Sequence, residues 1–171
     1  WREVGAADVW IPELSPSASA EPPAAVRDPV LLTAFLARSP AAVLRRLRAS
    51  NAEVDRAAGI ERGPEEPAAT DEAAVRRWLS EAGSSASDLV LLWSLRRGKE
   101  PPWAGSVEQI RRRGDPLSRA DLVISGSDLQ GLGARGPHVG RILAELLNEE
   151  LDATPNPEIR ELARQLERTR A

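Results

Sequence analysis

The densest group of residues that could do chemistry lies in a glycine-punctuated stretch, SGSDLQGLGARGPHVGRIL, at positions 125–143. Its glycines predict a turn, and cationic side chains follow at once. Backbone N–H groups and the positive dipole end at the start of a helix favour a phosphate, and nearby cations add to that attraction. The stretch therefore predicts an anion-binding turn, made by Gly133, Gly136, Arg135, His138 and Arg141.

The glycines of this stretch allow more than one interpretation. Gly131, Gly133 and Gly136 match the G-x-G-x-x-G spacing of dinucleotide-binding loops, but that fingerprint has meaning only after a strand in a βαβ unit, and helical patterns flank it here. A helix–hairpin–helix turn fits better, with Ser127 capping one helical turn and Pro137 opening the next helix. Alternatively, the glycines only permit close helix packing and a left-handed helix end. These last two interpretations stay open.

Two further arginine clusters are candidates for phosphate contact. Arg111, Arg112 and Arg113 end a predicted short helix, and Arg45 and Arg46 share a helix with apolar neighbours. Cations at the end of a helix are favourable without any ligand, so a solvated surface is the alternative for each cluster. The pairs Arg76-Arg77 and Arg96-Arg97 are expected to be salt-bridged surface. Because the net charge is −3, bound RNA would have to contact a local arginine face.

The residue inventory excludes several kinds of chemistry. The chain has no cysteine, so disulfides, thiolate nucleophiles and Cys-ligated metals are excluded. His138 is its single histidine, which excludes metal motifs built on a pair of histidines. No run approaches 18 apolar residues and no signal-peptide pattern opens the sequence, so we expect no membrane partner and a cytoplasmic location.

The capping signals in the first half of the chain are helical. Asp28-Pro29 and Ser39-Pro40 each combine an N-cap residue with proline at the first helical position, and Ser50 with Glu53 forms a capping box. They predict helices near 29–37, 40–48 and 51–58, the last ended by Gly59, then a loop over 60–69. Thr70 or Asp71 caps the next helix, which Gly83 closes. A helix over 89–95 is apolar nearly all round, which predicts a central, buried position.

The second half continues the helical pattern. A short helix carries Val107 and Ile110 and ends at Gly114, and a long helix over 137–151 has apolar residues at i, i+3 and i+4 spacing. Asn156-Pro157 opens a final helix. Because no segment alternates with period two, we predict an all-α, multi-helix domain over residues 28–171. Residues 1–27 are expected to be the remnant of a preceding helix plus a linker rich in Pro, Ser and Ala.

The order of these motifs resembles one family. The segment DLVISGSDLQGLGARGPHVGRILAELLNEELDATPNPEIRELARQL, at 121–166, is similar to the C-terminal signature of class II tRNA nucleotidyltransferases, which include CCA-adding enzymes and poly(A) polymerases. VLRRLRASNAEVDRA and AVRRWLSEAGSSASDLVLLWSLRRG resemble helical segments that precede it in that family. The resemblance covers roughly residues 28–166, the helical body and tail.

The resemblance implies that RNA binding and catalysis belong to different parts of the protein. The body and tail hold tRNA or another structured RNA, while an N-terminal head carries an Asp-x-Asp pair that binds Mg and uses ATP or CTP. This chain has no Asp-x-Asp, so the two-metal site would lie in the head and this part would be inactive alone. The RNA-contacting residues expected on this basis are Gly133, Arg135, Gly136, His138, Arg141, Arg45, Arg46, Arg111, Arg112 and Arg113. A structural or oligomerisation module and a non-specific helix–hairpin–helix DNA binder are the alternatives.

Overall fold

A computed structural model describes residues 26–131 and 133–152 of the chain. Every regular element in these two ranges is helical and none is a strand, which confirms the predicted all-α class. None of the helices in these ranges is long and apolar enough to cross a membrane. The expected helix at 1–14, residues 15–25 of the linker expected at 15–27, and the final helix expected from Asn156-Pro157 lie outside the described residues.

The described helices follow one another with short connections. Two short 3₁₀ turns, Gly83–Ser85 and Arg119–Asp121, lie between them. In chain order the α-helices are α1 (Pro29–Leu36), α2 (Pro40–Arg46), α3 (Asn51–Arg62), α4 (Glu72–Ala82), α5 (Ala86–Arg97), α6 (Ala104–Arg113), α7 (Gly126–Gly131) and α8 (Pro137–Asp152).

The segment expected as one domain divides into two compact units. The first unit holds the described residues up to Glu66 together with Glu81–Ala104. The second holds Pro67–Ser80 and the described residues from Gly105 onward. Helices α1, α2, α3 and α5 therefore build the first unit, and α6, α7, α8 and most of α4 build the second.

Helix starts in the first unit follow the predicted capping chemistry. The Asp28 carboxylate accepts hydrogen bonds from the backbone N–H groups of Val30 and Leu31, at 2.9 and 3.2 Å. Ser50 and Glu53 form the predicted reciprocal capping box. Ser39 stands at the N-cap of α2 but its side chain makes no capping hydrogen bond, so Pro40 marks that start without help from the hydroxyl.

Helix α3 does not end at Gly59, and this prediction was wrong. The helix continues to Arg62, and Gly63 is its C-cap. At Gly59 an added Cβ would lie 2.4 Å from Oγ of Ser85. The glycine therefore serves close packing of α3 against the Gly83–Ser85 turn, and the loop expected from residue 60 begins after the helix.

The core of the first unit forms around α1, which packs against α2, α3 and α5. Its buried residues are Val30, Leu31 and Ala34. Arg56 of α3 reaches two carboxylates at the surface of this core: it binds Asp88 of α5 in a bidentate pair, at 2.7 and 2.8 Å, and Asp28 at 2.8 Å. One guanidinium thus links the starts of α1 and α5 to the middle of α3.

Helix α5 buries one face only, so the prediction that it is buried nearly all round was wrong. Leu89 and Leu92 are buried, but Leu91 is 43% exposed. Trp93 is half-buried and meets Trp103 edge-on, with ring centroids 6.3 Å apart. Trp103 itself is buried, so it packs within the protein.

Helix α2 ends in a Schellman motif that places a non-glycine residue in the left-handed region. Ala49 N–H donates to the Leu44 carbonyl at 3.0 Å, and Arg48 N–H donates to the Arg45 carbonyl at 3.1 Å. Arg48 occupies the C′ position with a φ of 58°. Glycine is preferred there because a Cβ in this conformation is crowded by the following carbonyl oxygen.

Replacing Arg48 with glycine should stabilise the first unit. Relief of left-handed strain stabilises the folded state by about 1–2 kcal/mol. The greater conformational freedom of glycine stabilises the unfolded chain and offsets about 0.4–1 kcal/mol of this gain. We expect a rise of about 0.5–1 kcal/mol in the free energy of unfolding, measured by urea denaturation followed by circular dichroism. Arg48→Ala, which removes the charge but keeps the Cβ, is the control and should give no such gain.

Candidate nucleic-acid interface

The helix before the glycine turn begins at a different cap from the one predicted. Ser125, and not Ser127, opens α7: the Asp128 N–H donates to Ser125 Oγ at 3.3 Å, and the Ser125 N–H donates to Asp128 Oδ2 at 3.0 Å. The pair satisfies two N–H groups at once, as a capping box does. Helix α7 therefore starts at Gly126, two residues earlier than the sequence indicated.

The turn itself is a left-handed helix end followed directly by a new helix. The Ala134 N–H donates to the Leu129 carbonyl and the Gly133 N–H to the Gln130 carbonyl, each at 3.0 Å, which is the Schellman pattern. Gly133 has a φ of 97° and Gly136 a φ of 56°. These backbone angles, which L side chains rarely adopt, reverse the chain just ahead of Pro137.

Close helix packing also occurs beside the turn, but the glycine that permits it, Gly126, is not one of the three in the G-x-G-x-x-G spacing. Helix α7 packs against α8. At Gly126 an added Cβ would lie 3.4 Å from Cγ1 of Val139. At Gly133 and Gly136 a Cβ would meet nothing within 4 Å, so these two glycines serve the backbone angle and not the packing.

The cations predicted for the turn lie on its surface. Arg135, His138 and Arg141 are all exposed, between the glycine reversal and the second turn of α8. Arg141 donates a hydrogen bond to Nδ1 of His138. The three side chains form one small basic surface, which we call the turn surface.

The backbone contributes less to this site than the sequence suggested. The His138 N–H donates to the Arg135 carbonyl at 3.3 Å, and the Val139 N–H donates to the Gly136 carbonyl at 3.2 Å. Two N–H groups of the first turn of α8 are therefore already engaged. A phosphate at this position would be held chiefly by the side chains of Arg135 and Arg141, with the helix dipole adding to the attraction.

A buried ion network holds the other end of α8. Arg76 of α4 is only 2% exposed, and its Nε donates to the Leu151 carbonyl in the last turn of α8 at 2.9 Å. Its guanidinium also lies 3.7 Å from the fully buried carboxylate of Asp115. This carbonyl is one of the last in α8, where no later N–H of the helix can reach it, so the arginine supplies a donor that the helix lacks.

The network continues through a second arginine. Arg113 binds Asp115 in a bidentate pair, at 3.0 and 3.2 Å, and binds Glu72 in another, at 2.6 and 3.1 Å. At the surface nearby, Arg77 pairs with Asp152 at 2.5 and 2.7 Å. The predicted salt bridge at Arg77 is confirmed, whereas the buried position of its neighbour Arg76 was not foreseen.

The remaining predicted contact residues differ in their surroundings. Arg113 is committed to Asp115 and Glu72, which makes it a poor candidate for phosphate contact despite its place in the cluster. Arg111 and Arg112 are exposed, and Arg112 lies 4.0 Å from Glu108. Arg45 and Arg46 are exposed at the end of α2 in the first unit, next to Leu47, which is 64% exposed.

Within residues 26–131 and 133–152, no group of three or more His, Asp or Glu side chains is placed to hold a metal ion. Comparisons with protein-family models, with curated proteins and with solved structures give no significant match to this chain.

Removing the buried carboxylate should destabilise the second unit strongly. Asp115→Asn leaves Glu72 as the one carboxylate bound to Arg113, and it removes the negative charge next to buried Arg76. Loss of one partner of a buried ion pair typically costs about 3–5 kcal/mol. We expect a loss of about 3 kcal/mol in unfolding free energy from chemical denaturation. Asp152→Asn, which breaks the exposed pair with Arg77, is the control and should change stability far less. Equal losses would contradict a special role for the buried pair.

The same network should make stability fall in acid. Hydrogen bonds from Arg113, with the charges of Arg113 and Arg76, hold the pKa of Glu72 below its usual 4.5 although burial opposes this. The folded state thus binds fewer protons, so this stabilisation is complete above pH 4.5 and is lost as pH falls through the lowered pKa. Glu72→Gln should flatten the decline of unfolding free energy below pH 4.5. The control Glu108→Gln should keep the slope of the parent protein.

Proposed function

We propose that this chain is an RNA-holding helical module that binds tRNA or a similar structured RNA through its phosphates. The observation that carries the proposal is the turn surface, where Arg135, His138 and Arg141 are exposed together at the start of the longest described helix. Phosphate contacts fix the position of a nucleic acid without reading its sequence. Such a module would hold an RNA in place for a reaction performed elsewhere.

Electrostatic attraction of RNA to this chain would come from a local group of cations. The whole chain is acidic, with a net charge of −3, so long-range attraction of RNA would be weak. Several arginines already pair with carboxylates of the protein, among them Arg56, Arg77 and Arg113. Arg135 and Arg141 pair with no carboxylate in the described part of the chain, which leaves their charge available to a phosphate.

The order of sequence motifs supports a more specific form of the proposal. The segments at 43–57, 74–98 and 121–166 resemble the body and tail of class II tRNA nucleotidyltransferases. On that basis the chain positions an RNA 3′ end for a catalytic head N-terminal to it. That head would bind Mg and ATP or CTP through its own Asp-x-Asp pair, and this module would bind the RNA and orient its 3′ end.

Two further surfaces are candidates for additional phosphate contacts. Arg45 and Arg46 are exposed at the end of α2, and Arg111 and Arg112 are exposed at the end of α6. We include these four arginines in the proposal as secondary contacts, and we leave out Arg113 because two carboxylates already occupy its guanidinium.

One observation favours a different class of function. Extensive bidentate pairing of arginines with carboxylates, at Arg56, Arg77 and Arg113, is what a purely structural or oligomerisation module would show. The glycine reversal at Gly133 and Gly136 also suits a helix–hairpin–helix that grips duplex DNA non-specifically. Salt dependence separates the structural module from both binders, and competition between RNA and DNA separates the binders.

The test is binding of the 171-residue chain to fluorescently labelled tRNA by anisotropy over a salt series. We expect affinity to fall steeply with salt, because each neutralised phosphate releases counterions. Arg135→Ala/Arg141→Ala should weaken binding and reduce the slope of log K against log salt by about 1–2.

Arg62→Ala/Lys99→Ala is the matched control, since it removes two exposed cations from the first unit. It should leave the salt slope unchanged. Absence of binding at low salt would reject the proposal in favour of a structural module. Equal competition by duplex DNA would reject RNA selectivity and favour the helix–hairpin–helix DNA binder.

A further inference from the structure

A small cavity in the first unit lies against an aromatic and charged wall that the proposed function does not use. Its volume is about 140 Å³, and it is lined by Glu65, Glu66, Leu89, Trp93, Arg96 and Arg97 together with Leu92. Sites for drug-sized ligands usually measure about 300–1,000 Å³, so the volume of this cavity suits a smaller group, about the size of one nucleobase. All of its lining residues belong to the first unit.

The wall of the cavity is suited to stacking. Trp93 is half-buried, and the guanidinium carbon of Arg97 lies over its ring, 5.2 Å from the centroid. Nε1 of Trp93 donates to the Glu66 carboxylate at 3.1 Å, which fixes the orientation of the indole. Aromatic rings and arginine planes are the surfaces on which proteins stack unpaired nucleobases.

The cavity is lined by charges of both signs, so neither a simple anion nor a simple cation gains a net electrostatic advantage there. Two carboxylates, Glu65 and Glu66, oppose an anion such as a free phosphate, and two guanidiniums, Arg96 and Arg97, oppose an ammonium ion. A neutral planar group with hydrogen-bond donors and acceptors along its edges is repelled by neither the carboxylates nor the guanidiniums. Nucleobases have this chemistry, and their exocyclic amino groups donate to carboxylates while ring nitrogens and carbonyl oxygens accept from arginine.

Glu65, an exposed residue of the cavity lining, has a carboxylate that is not used by the protein. In the part of the chain that the structure describes, Glu65 has no hydrogen-bond or ion-pair partner, whereas Glu66 holds Trp93, and Arg96 donates to the Ala34 carbonyl at 3.2 Å. Guanine alone among the common bases places two adjacent donors, N1–H and the N2 amino group, on one edge and two acceptors, O6 and N7, on another. A carboxylate and an arginine complement those two edges.

We propose that this cavity binds one unpaired guanine base, stacked on the Trp93–Arg97 wall with Glu65 accepting from its N1–H and N2 amino edge. Arg96 donates to the O6 and N7 edge, because the guanidinium of Arg97 is part of the stack. A second cavity of about 250 Å³ shares Glu65, Leu89, Leu92 and Arg96 with the first and is also lined by Arg38. It gives the attached ribose and phosphate a place next to a cation.

This inference deepens the proposed function, because it would let an RNA held by its phosphates also be read at one base. It does not depend on the turn surface, since every residue involved is in the first unit. The two proposals can therefore fail separately.

The experiment is an NMR titration of the ¹⁵N-labelled chain with GMP and with UMP, following the indole N–H resonances. Trp93→Phe identifies the Trp93 signal by its loss. GMP should shift that signal in a saturable manner, with UMP binding at least about tenfold more weakly because uracil lacks the amino group that Glu65 accepts from. Glu65→Gln should weaken GMP binding about tenfold, with an unchanged thermal unfolding profile as the check on folding.

Arg135→Ala/Arg141→Ala should bind GMP as the parent chain does. If that variant loses tRNA binding but keeps the GMP shift, both proposals stand. If the parent chain binds no tRNA but its Trp93 signal responds to GMP, the RNA-holding proposal fails and the guanine cavity stands. No saturable shift with GMP, or equal affinity for UMP, overturns the guanine cavity whatever the tRNA result.

Discussion

The second unit depends on a buried carboxylate, Asp115, that has two arginines around it. Taking a carboxylate and a guanidinium out of water costs several kcal/mol per ion, and only close, bidentate geometry can offset that cost. Arg113 supplies that geometry and extends it to Glu72, while Arg76 turns its Nε to the last turn of α8 at Leu151. Helices α4, α6 and α8 are therefore tied together by ionic hydrogen bonds as well as by apolar contact.

The first unit uses the same device in a more exposed form. Arg56 binds Asp28 and Asp88 at distances of 2.7–2.8 Å, and Asp28 also caps α1. Burial acts to raise the pKa of Asp28, but the hydrogen bonds from Arg56 and from two backbone N–H groups outweigh it, and the pKa lies below its usual value. Several arginines thus hold helices together, and their charge is not available to a nucleic acid.

The turn surface owes its form to backbone conformation. Gly133 and Gly136 adopt positive φ angles that reverse the chain, and the reversal brings Arg135 close to the start of α8, where His138 and Arg141 follow. Within the described residues, Arg135 and Arg141 pair with no carboxylate, in contrast to the arginines of the ion network. For this reason Arg135 and Arg141 are proposed as RNA contacts, whereas Arg113, which already binds two carboxylates, is not.

The sequence by itself determined the helical class, most helix boundaries and the glycine turn, because caps, prolines and left-handed glycines act within a few residues of chain. It predicted the caps at Asp28 and Ser50 and the surface pair at Arg77. It did not determine that α3 runs through Gly59, that Leu91 is exposed, that Arg76 is buried or that Arg113 is committed to Glu72. Only the tertiary structure decided these, since each depends on a partner distant in sequence, such as Ser85 for Gly59 and Leu151 for Arg76.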